Sequence, residues 1–389
     1  MKKKVAVGLS GGVDSSVAAY LLKKKGYDVI GVTMRTWEED AGDSESGYAG
    51  AHIVEDAGRA AQILGIPYYV VDFRKEFKCH VMDYFVQEYL RGRTPNPCIV
   101  CNRYVKWEAL LQKSQALGAD FIATGHYAGV ERLPNGRFAL RHCRTAKDQT
   151  YALYALSQTQ LAHTLMPLGD YIAQAGDWSE TAPSAKEGSR ADKSPKEAIR
   201  ALAEEAGLPA ARKPDSQEIC FIPDDDYAGF IERAAGEALP GPGCFVDIHG
   251  KALGRHKGVI HYTIGQRRGL ELAMGERVYV TDIRPDTNEV VIGRNEDLFT
   301  DEVFCEDMHF MAVEDLKEPM RVFAKIRYNH SGEYCRIEKQ QDGRVRALFE
   351  RPVRAAAPGQ SICFYDGVYV LGGGVITGGE RRSKDGCGS

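Results

Sequence analysis

The chain has 389 residues, 43% of them hydrophobic and 27% charged, with a formal net charge of −4. That length implies two or three domains of an ordinary globular protein, and no run is long and apolar enough for a membrane span. The slight acidity excludes a globally basic nucleic-acid binder, so a polyanionic partner has to be met by a local basic face.

The chain opens on Met1-Lys2-Lys3-Lys4, but the apolar stretch behind it ends at once in Ser10-Gly11-Gly12. A signal peptide needs a longer apolar core, so a cytoplasmic location is expected. The ten cysteines are then expected to be thiols. Most of them, Cys79, Cys143, Cys244, Cys305, Cys335 and Cys363, lie singly among apolar or strand-like residues and suit buried packing. Cys387 falls in a polar tail expected to be disordered.

The first part of the chain alternates strand and helix. Val5–Leu9, Asp28–Met34, Tyr68–Asp72 and Phe121–Thr124 read as short buried strands. Ser16–Lys25, Glu55–Leu64, Phe77–Arg91 and Lys106–Leu117 read as helices. This alternation predicts an α/β domain with a doubly wound parallel sheet. Ligands of such sheets bind at the carboxyl ends of the strands. Between the first strand and helix stands Gly8-Leu9-Ser10-Gly11-Gly12-Val13-Asp14-Ser15. Adjacent glycines let backbone N–H groups approach a ligand, and the following helix adds its positive end. Ser10 and Ser15 add hydroxyls. The lysine that ends a Walker A loop is missing. The octapeptide instead resembles the SGGxDS loop of the ATP pyrophosphatase (PP-loop) superfamily, which cleaves ATP between its α and β phosphates.

Two stretches break the alternation. Glu38–Gly50 is acidic and glycine-rich and reads as a mobile loop. Ser179–Ser194 has almost no large apolar residue and reads as a flexible insertion. A helical pattern resumes at Pro195 and runs to Ala206, with Pro in its first turn.

Between these lies Gly92-Arg93-Thr94-Pro95-Asn96-Pro97-Cys98-Ile99-Val100-Cys101-Asn102. Two prolines around Asn96 make a stiff turn, and Cys101 precedes a helix expected over Tyr104–Leu111. A thiol near a helix N-terminus, with Arg103 and Lys106 close by, is expected to have a lowered pKa. Cys98 and Cys101 also fit half a zinc site or a dithiol switch, but a closed zinc site needs four ligands and the chain has no second CxxC. No metal-ligating residue is assigned. Asp215-Ser216-Gln217-Glu218-Ile219-Cys220-Phe221-Ile222-Pro223 holds a further thiol, which gains meaning only beside Cys101.

Gly250 to Leu270 carries Lys251, Arg255, Lys257, Arg267 and Arg268, with His256 and His261, and no acidic residue. It is the expected local basic face, suited to phosphate and sugar contacts on folded RNA. Arg137, Arg141, Arg144 and Lys147 form a weaker basic string, followed by Asp148-Gln149-Thr150-Tyr151. From about Phe245 short strands and turns take over. They include Phe245–Ile248, Val278–Asp282, Val290–Gly293, Val322–Tyr328, Tyr334–Ile337, Val345–Phe349, Ser361–Tyr365 and Val368–Gly373. Such spacing predicts a small barrel or sandwich.

Five segments, GLSGGVDSS, GRTPNPCIVCN, ATGHYA followed by KDQTYAL, DSQEICFI and GRHKGVIHYTIGQRRGL, stand in the order found in bacterial tRNA-specific 2-thiouridylases. The resemblance covers roughly residues 3–380. It implies an adenine nucleotide α-hydrolase-like catalytic domain over 1–214. A small central domain over 215–282, a C-terminal β-barrel over 283–380 and a tail over 381–389 would follow. It implies that the wobble uridine of tRNA exchanges its C2 oxygen for sulfur at the expense of ATP with Mg²⁺. The isoacceptors for Lys, Glu and Gln would be the substrates, and a persulfide-donating sulfur carrier or cysteine desulfurase the partner.

Carried over by position, Gly8, Leu9, Ser10, Gly11, Gly12, Val13, Asp14, Ser15, Met34 and Gly125 would bind ATP. His126, Lys147, Asp148, Gln149, Arg327, Tyr328 and Gln360 would touch tRNA. Asn96, Pro97 and Cys98 would lie beside the target base. Cys101 would be the nucleophile and Cys220 the persulfide carrier, with a Cys101–Cys220 disulfide as one outcome. Some family members have an acidic residue where Cys98 stands, which puts its role in question. Three other classes share parts of the pattern: an amidotransferase-type synthetase, which has the first loop alone, an iron–sulfur or zinc-dependent thiolase, and an RNA-binding module with a vestigial nucleotide pocket.

Overall fold

The apolar run at the start of the chain becomes the central strand of a parallel sheet because it is buried on both faces. This is seen in a computed structural model that describes residues 2–37, 49–143, 145, 147–175, 195–213 and 219–380. The expected loop Glu38–Gly50, save its last two residues, and the insertion Ser179–Ser194 lie outside the described residues. So do Arg144, residues 215–218 of the Cys220 segment and the tail with Cys387. The chain divides into two units.

The first unit holds residues 1–81, 98–217 and 367–371. Its sheet has the order Tyr68–Asp72, Asp28–Arg35, Lys4–Gly8, Phe121–Ala123, Thr164–Leu165, with all neighbours parallel. The chain winds outward from Lys4–Gly8 to one side, then returns to its other side. That reversal is the topological switch point. Helix Val13–Lys24 packs on the sheet through Val17, Ala18, Leu21 and Leu22, with Leu168, Ile199 and Ala203 from two later helices in the same core. The expected buried strand Tyr68–Asp72 is instead an edge strand, and Tyr69 and Val70 face solvent. A hairpin of Gly129–Arg132 with Phe138–Arg141 was not expected.

The second unit holds residues 82–97, 218–366 and 372–389. Helix Asp83–Leu90 contributes Phe85, whose ring meets Phe221 and Phe230 edge-on. A mixed four-stranded sheet has the order Tyr279–Arg284, Glu289–Gly293, Gly243–Asp247, Ala252–His256. It is built around Phe245, Tyr262, Val280 and Val290. The third element is a closed barrel of six strands. Its order is Phe299–Phe310, Val345–Arg354, Glu333–Lys339, Met320–Lys325, Ser361–Asp366, Tyr369–Glu380, and the last pairs with the first. Closure leaves no strand edge unpaired. The α/β fold with a central domain and a C-terminal barrel is therefore present. Strand Phe299–Phe310 was missed, because its acidic residues hide the alternation.

Of the cysteines expected to be buried, Cys143, Cys305, Cys335 and Cys363 are. Cys79 is exposed, on the π-helical turn Lys78–Met82, and Cys244 is half-buried.

Candidate functional site

Strand Lys4–Gly8 ends at the switch point, and the chain turns through Leu9–Gly12 into helix Val13–Lys24. Gly11 takes a φ of +70°, the left-handed region open to glycine. The loop is fixed from below: Leu9 N–H donates to Val32 O at 2.9 Å, and Thr33 Oγ1 donates to Leu9 O at 2.8 Å. Ser15 Oγ accepts from Ser10 N–H at 3.1 Å, and Ser16 Oγ donates to Gly12 O at 2.9 Å. These bonds order the turn and occupy the Leu9 and Ser10 amides; those from Gly11 to Asp14 stand at the helix N-terminus, where backbone N–H groups suit an anion. Met34 is half-buried near the end of the neighbouring strand. Gly125 follows strand Phe121–Ala123 and closes on the loop from the other side. A methyl group on its α-carbon would stand 2.5 Å from Ser15 N and 2.6 Å from the Asp14 carbonyl carbon. Only glycine fits.

Asp14 is held by groups the sequence reading did not single out. Tyr127 Oη donates to its Oδ1 at 2.8 Å, and Lys196 Nζ reaches both carboxylate oxygens at 2.8 and 2.7 Å. Tyr127 lies inside the ATGHYA segment and was within reach of sequence reasoning. Lys196 was not, since 182 positions separate it from Asp14.

The two prolines do not delay the helix: Pro97 is its first residue. The helical run covers Pro97–Val100, Cys101–Ala109 and Leu110–Ala116, the middle stretch wound as a π-helix. Pro is suited to a first helical position, where no N–H is needed. Cys98 therefore sits in the first turn, exposed, and Cys101 one turn further in, half-buried. The expected low pKa of Cys101 is not found. Burial pushes its thiol above the ordinary thiol range, Lys106 opposes this less strongly, and Cys98 adds to the rise. The next residue, Asn102, is fully buried and donates from Nδ2 to Ala152 O at 2.8 Å.

His126 packs on Trp107, ring centroids 5.3 Å apart, with Nδ1 2.7 Å from Thr124 Oγ1. Burial and the charge of Lys106 hold its imidazole well below the usual histidine range, so it is neutral at pH 7. Gln149 exchanges two bonds with Tyr127, its Oε1 and its N–H each at 2.9 Å from the Tyr127 backbone. The Asp148 carboxylate turns inward and accepts from Cys143 N–H, Thr150 N–H and Thr150 Oγ1. Its neighbour Lys147 is exposed.

In the second unit, Gln360 Nε2 bonds the backbone of the Thr94-Pro95-Asn96-Pro97 turn. Asn96 is half-buried and Pro97 buried. Arg327 and exposed Tyr328 lie on the turn between two barrel strands, and Arg327 Nη1 donates to Arg354 O at 3.1 Å. Cys220 is exposed on a short turn, while its neighbour Phe221 is anchored in the cluster with Phe85 and Phe230. A thiol beside Ile and Phe would ordinarily be core. Here the apolar neighbour Phe221 is anchored, and Cys220 itself is exposed. In the basic run, Lys251, Arg255, Lys257, Arg267 and Arg268 are exposed. His256 does not belong to that face. It is buried, its Nε2 donates to Asn288 O and its Nδ1 accepts from Gly258 N–H, which is the neutral form. Burial lowers the pKa of His261 as well.

A family model described as the tRNA methyl transferase HUP domain matches residues 3–176 and 191–224. One described as the tRNA methyl transferase PRC-barrel domain matches 228–294, and one described as the aminomethyltransferase beta-barrel domain matches 300–376. The tRNA-specific 2-thiouridylase MnmA of Lachnoclostridium phytofermentans is 55% identical over 378 residues, 96% of this chain and 99% of its own. The chain belongs to the tRNA-specific 2-thiouridylase family. Two further members, from Clostridium perfringens and Clostridium acetobutylicum, are each 50% identical. They cover 96% and 97% of this chain and 98% and 100% of their own.

Within this thiouridylase, the first unit brings together the Gly8–Ser15 loop, Gly125, His126 and Gln149 around the sheet's carboxyl ends, and holds Cys101. The second unit brings Gln360 to the Asn96–Pro97 turn and holds Cys220.

Proposed function

We propose that this chain is an ATP-dependent tRNA-uridine 2-sulfurtransferase that thiolates the wobble uridine and works in the cytoplasm. The observation that supports the reading is the ordered glycine–serine turn at the switch point, closed on by Gly125, in a chain that aligns end to end with a 2-thiouridylase.

The chemistry fits the residues. A uracil C2 oxygen is a very poor leaving group. Its attack on the α-phosphorus of ATP forms an adenylated uridine and expels pyrophosphate. The amides from Gly11 to Asp14, the Ser10 and Ser15 hydroxyls and the N-terminus of helix Val13–Lys24 would hold the expelled charge. Mg²⁺ would neutralise phosphate charge. It would be carried mostly by phosphate oxygens and water, with Asp14 nearby. Neutral His126 would meet the RNA as a hydrogen-bonding ring. Lys147, Gln149, Arg327, Tyr328 and Gln360 would hold the tRNA, with Asp148 ordering the turn of Lys147. Asn96, Pro97 and Cys98 would border the target base, flipped from its stack.

Sulfur would arrive as a persulfide on Cys220, loaded by a sulfur carrier or cysteine desulfurase. On one path the Cys101 thiolate attacks the Cys220 sulfur and expels hydrosulfide, which then displaces AMP at C2. On the other, the terminal persulfide sulfur displaces AMP directly, and Cys101 then cleaves the S–S bond. Both leave a Cys101–Cys220 disulfide, which a thiol reductant must return to two thiols. The division 1–214, 215–282 and 283–380, with a tail 381–389, is part of this reading.

Nucleoside mass spectrometry of bulk tRNA from cells with and without this gene tests the proposal. Loss of the 2-thio wobble uridine in the isoacceptors for Lys, Glu and Gln is the expected result. Its persistence in the deletion overturns the reading.

A further inference from the structure

The Gly8–Ser15 loop has the strand–turn–helix form of a phosphate cradle but no lysine of its own. Its amides and hydroxyls are neutral donors, whereas the triphosphate it would hold carries several negative charges. Lys is a frequent phosphate ligand, acting as a point charge. The fold brings one in from far along the chain. Lys196 stands in the first turn of helix Pro195–Glu205, which is anchored in the core of the first unit by Ile199 and Ala203. Its ammonium lies at the N-terminus of helix Val13–Lys24, 2.7 Å from Asp14 Oδ2 and 5.9 Å from the Tyr127 ring centroid. The Lys196 side chain is 13% exposed and the Asp14 side chain 31%. At the other end of the same segment Lys213 pairs with Asp56, whose β-carbon lies 3.1 Å from where a Gly11 β-carbon would be. Lys196 thus reaches the loop itself, and Lys213 reaches the helix whose Asp56 borders Gly11.

We propose that Lys196 is a phosphate-binding residue of this loop, held on Asp14 by the ion pair and by Tyr127 until a nucleoside triphosphate enters. The β and γ phosphates at the helix N-terminus then share the ammonium with Asp14. Lys196 supplies the charge that a Walker-type loop carries within its own sequence. The inference rests on the reading that the loop binds ATP.

Calorimetric titration of the full chain with α,β-methylene-ATP and with AMP, in Mg²⁺ and without tRNA, tests it. The proteins compared are wild type, Lys196→Met and Lys196→Arg, with melting temperatures recorded. Loss of one charge-assisted contact predicts that Lys196→Met weakens the triphosphate analogue roughly tenfold to hundredfold. AMP, which lacks the β and γ phosphates, should stay within about threefold. Lys196→Arg keeps the charge and should recover part of the loss; if the Met variant does not fold, Arg against Lys196→Gln carries the comparison. Analogue affinity unchanged in the uncharged variant overturns the proposal. So does an equal loss for analogue and AMP together with a lower melting temperature, which marks a structural brace only. Failure of the wild type to bind the analogue overturns the ATP reading instead.

Discussion

Gln360 donates from Nε2 to the Thr94 carbonyl at 3.1 Å, while Thr94 N–H donates to Pro358 O at 2.8 Å. The barrel thus fixes the turn that ends at Pro97. Gln360→Ala removes the side-chain bonds to the Thr94 and Pro95 carbonyls, the second of them long, at a cost of about 1 kcal/mol. Melting should fall by about 2–4 °C. If the turn positions the target base, kcat/KM for tRNA thiolation should fall more than that small stability change accounts for. A variant with the lower melting point and unaltered kcat/KM would show a purely structural bond.

Cys101 sits one turn inside its helix, so burial outweighs the helix terminus and Lys106, and its thiol pKa lies above the ordinary thiol value. The thiolate is the reactive form. Its fraction therefore grows as pH rises from 7, about tenfold per unit until the raised pKa is reached. Peptide-resolved alkylation should show the Cys101 rate climbing in this way without a plateau below the ordinary thiol range. Lys106→Met removes the cation that opposes the rise, and should slow Cys101 alkylation at any fixed pH. A plateau already at neutral pH would contradict the burial argument.

The parallel sheet was legible because strands buried on both faces read as unbroken apolar runs, and the Gly8–Ser15 loop because its glycines and serines are contiguous. The hairpin Gly129–Arg132 with Phe138–Arg141 has a sequence signal of its own, Asn135-Gly136 in the turn. The start of the cysteine helix was misplaced because Pro95 and Pro97 read as one stiff turn, although Pro97 suits a first helical position. Lys196 was out of reach for a different reason. A lysine two residues after a polar stretch looks like surface, and only the packing of Ile199 and Ala203 aims it at Asp14.

The exposed cations of the basic run make a prediction about salt. Arg267 and Arg268 are both exposed and follow a tight turn in which Gln266 Nε2 donates to Arg268 O at 3.0 Å. If each meets a tRNA phosphate, Arg267→Ala with Arg268→Ala weakens tRNA binding and makes the slope of log K against log salt shallower by about 1–2 units. Filter binding across a salt series reads both. The buried, neutral His256 should contribute nothing to that slope, so the slope at pH 6 and pH 8 should differ little. An unchanged slope in the double variant would place the phosphate contacts elsewhere.

Cys220 is exposed on a turn whose Phe221 is locked against Phe85 and Phe230, so replacing its sulfur disturbs little packing. Cys220→Ser should melt within about 1 °C of wild type, as exposed substitutions usually change stability by no more than ~0.5 kcal/mol. Adenylation of the uridine uses neither sulfur in the proposed chemistry. The variant should therefore still release pyrophosphate from ATP with tRNA present, up to the adenylated tRNA, while forming no 2-thiouridine from a persulfide donor. Pyrophosphate release and nucleoside mass spectrometry on the same reaction separate the two steps. Full thiolation by the Ser variant would remove Cys220 from the sulfur path. Loss of pyrophosphate release together with thiolation would mean that the nucleotide step waits on the persulfide, and the order of the two half-reactions would have to be reversed.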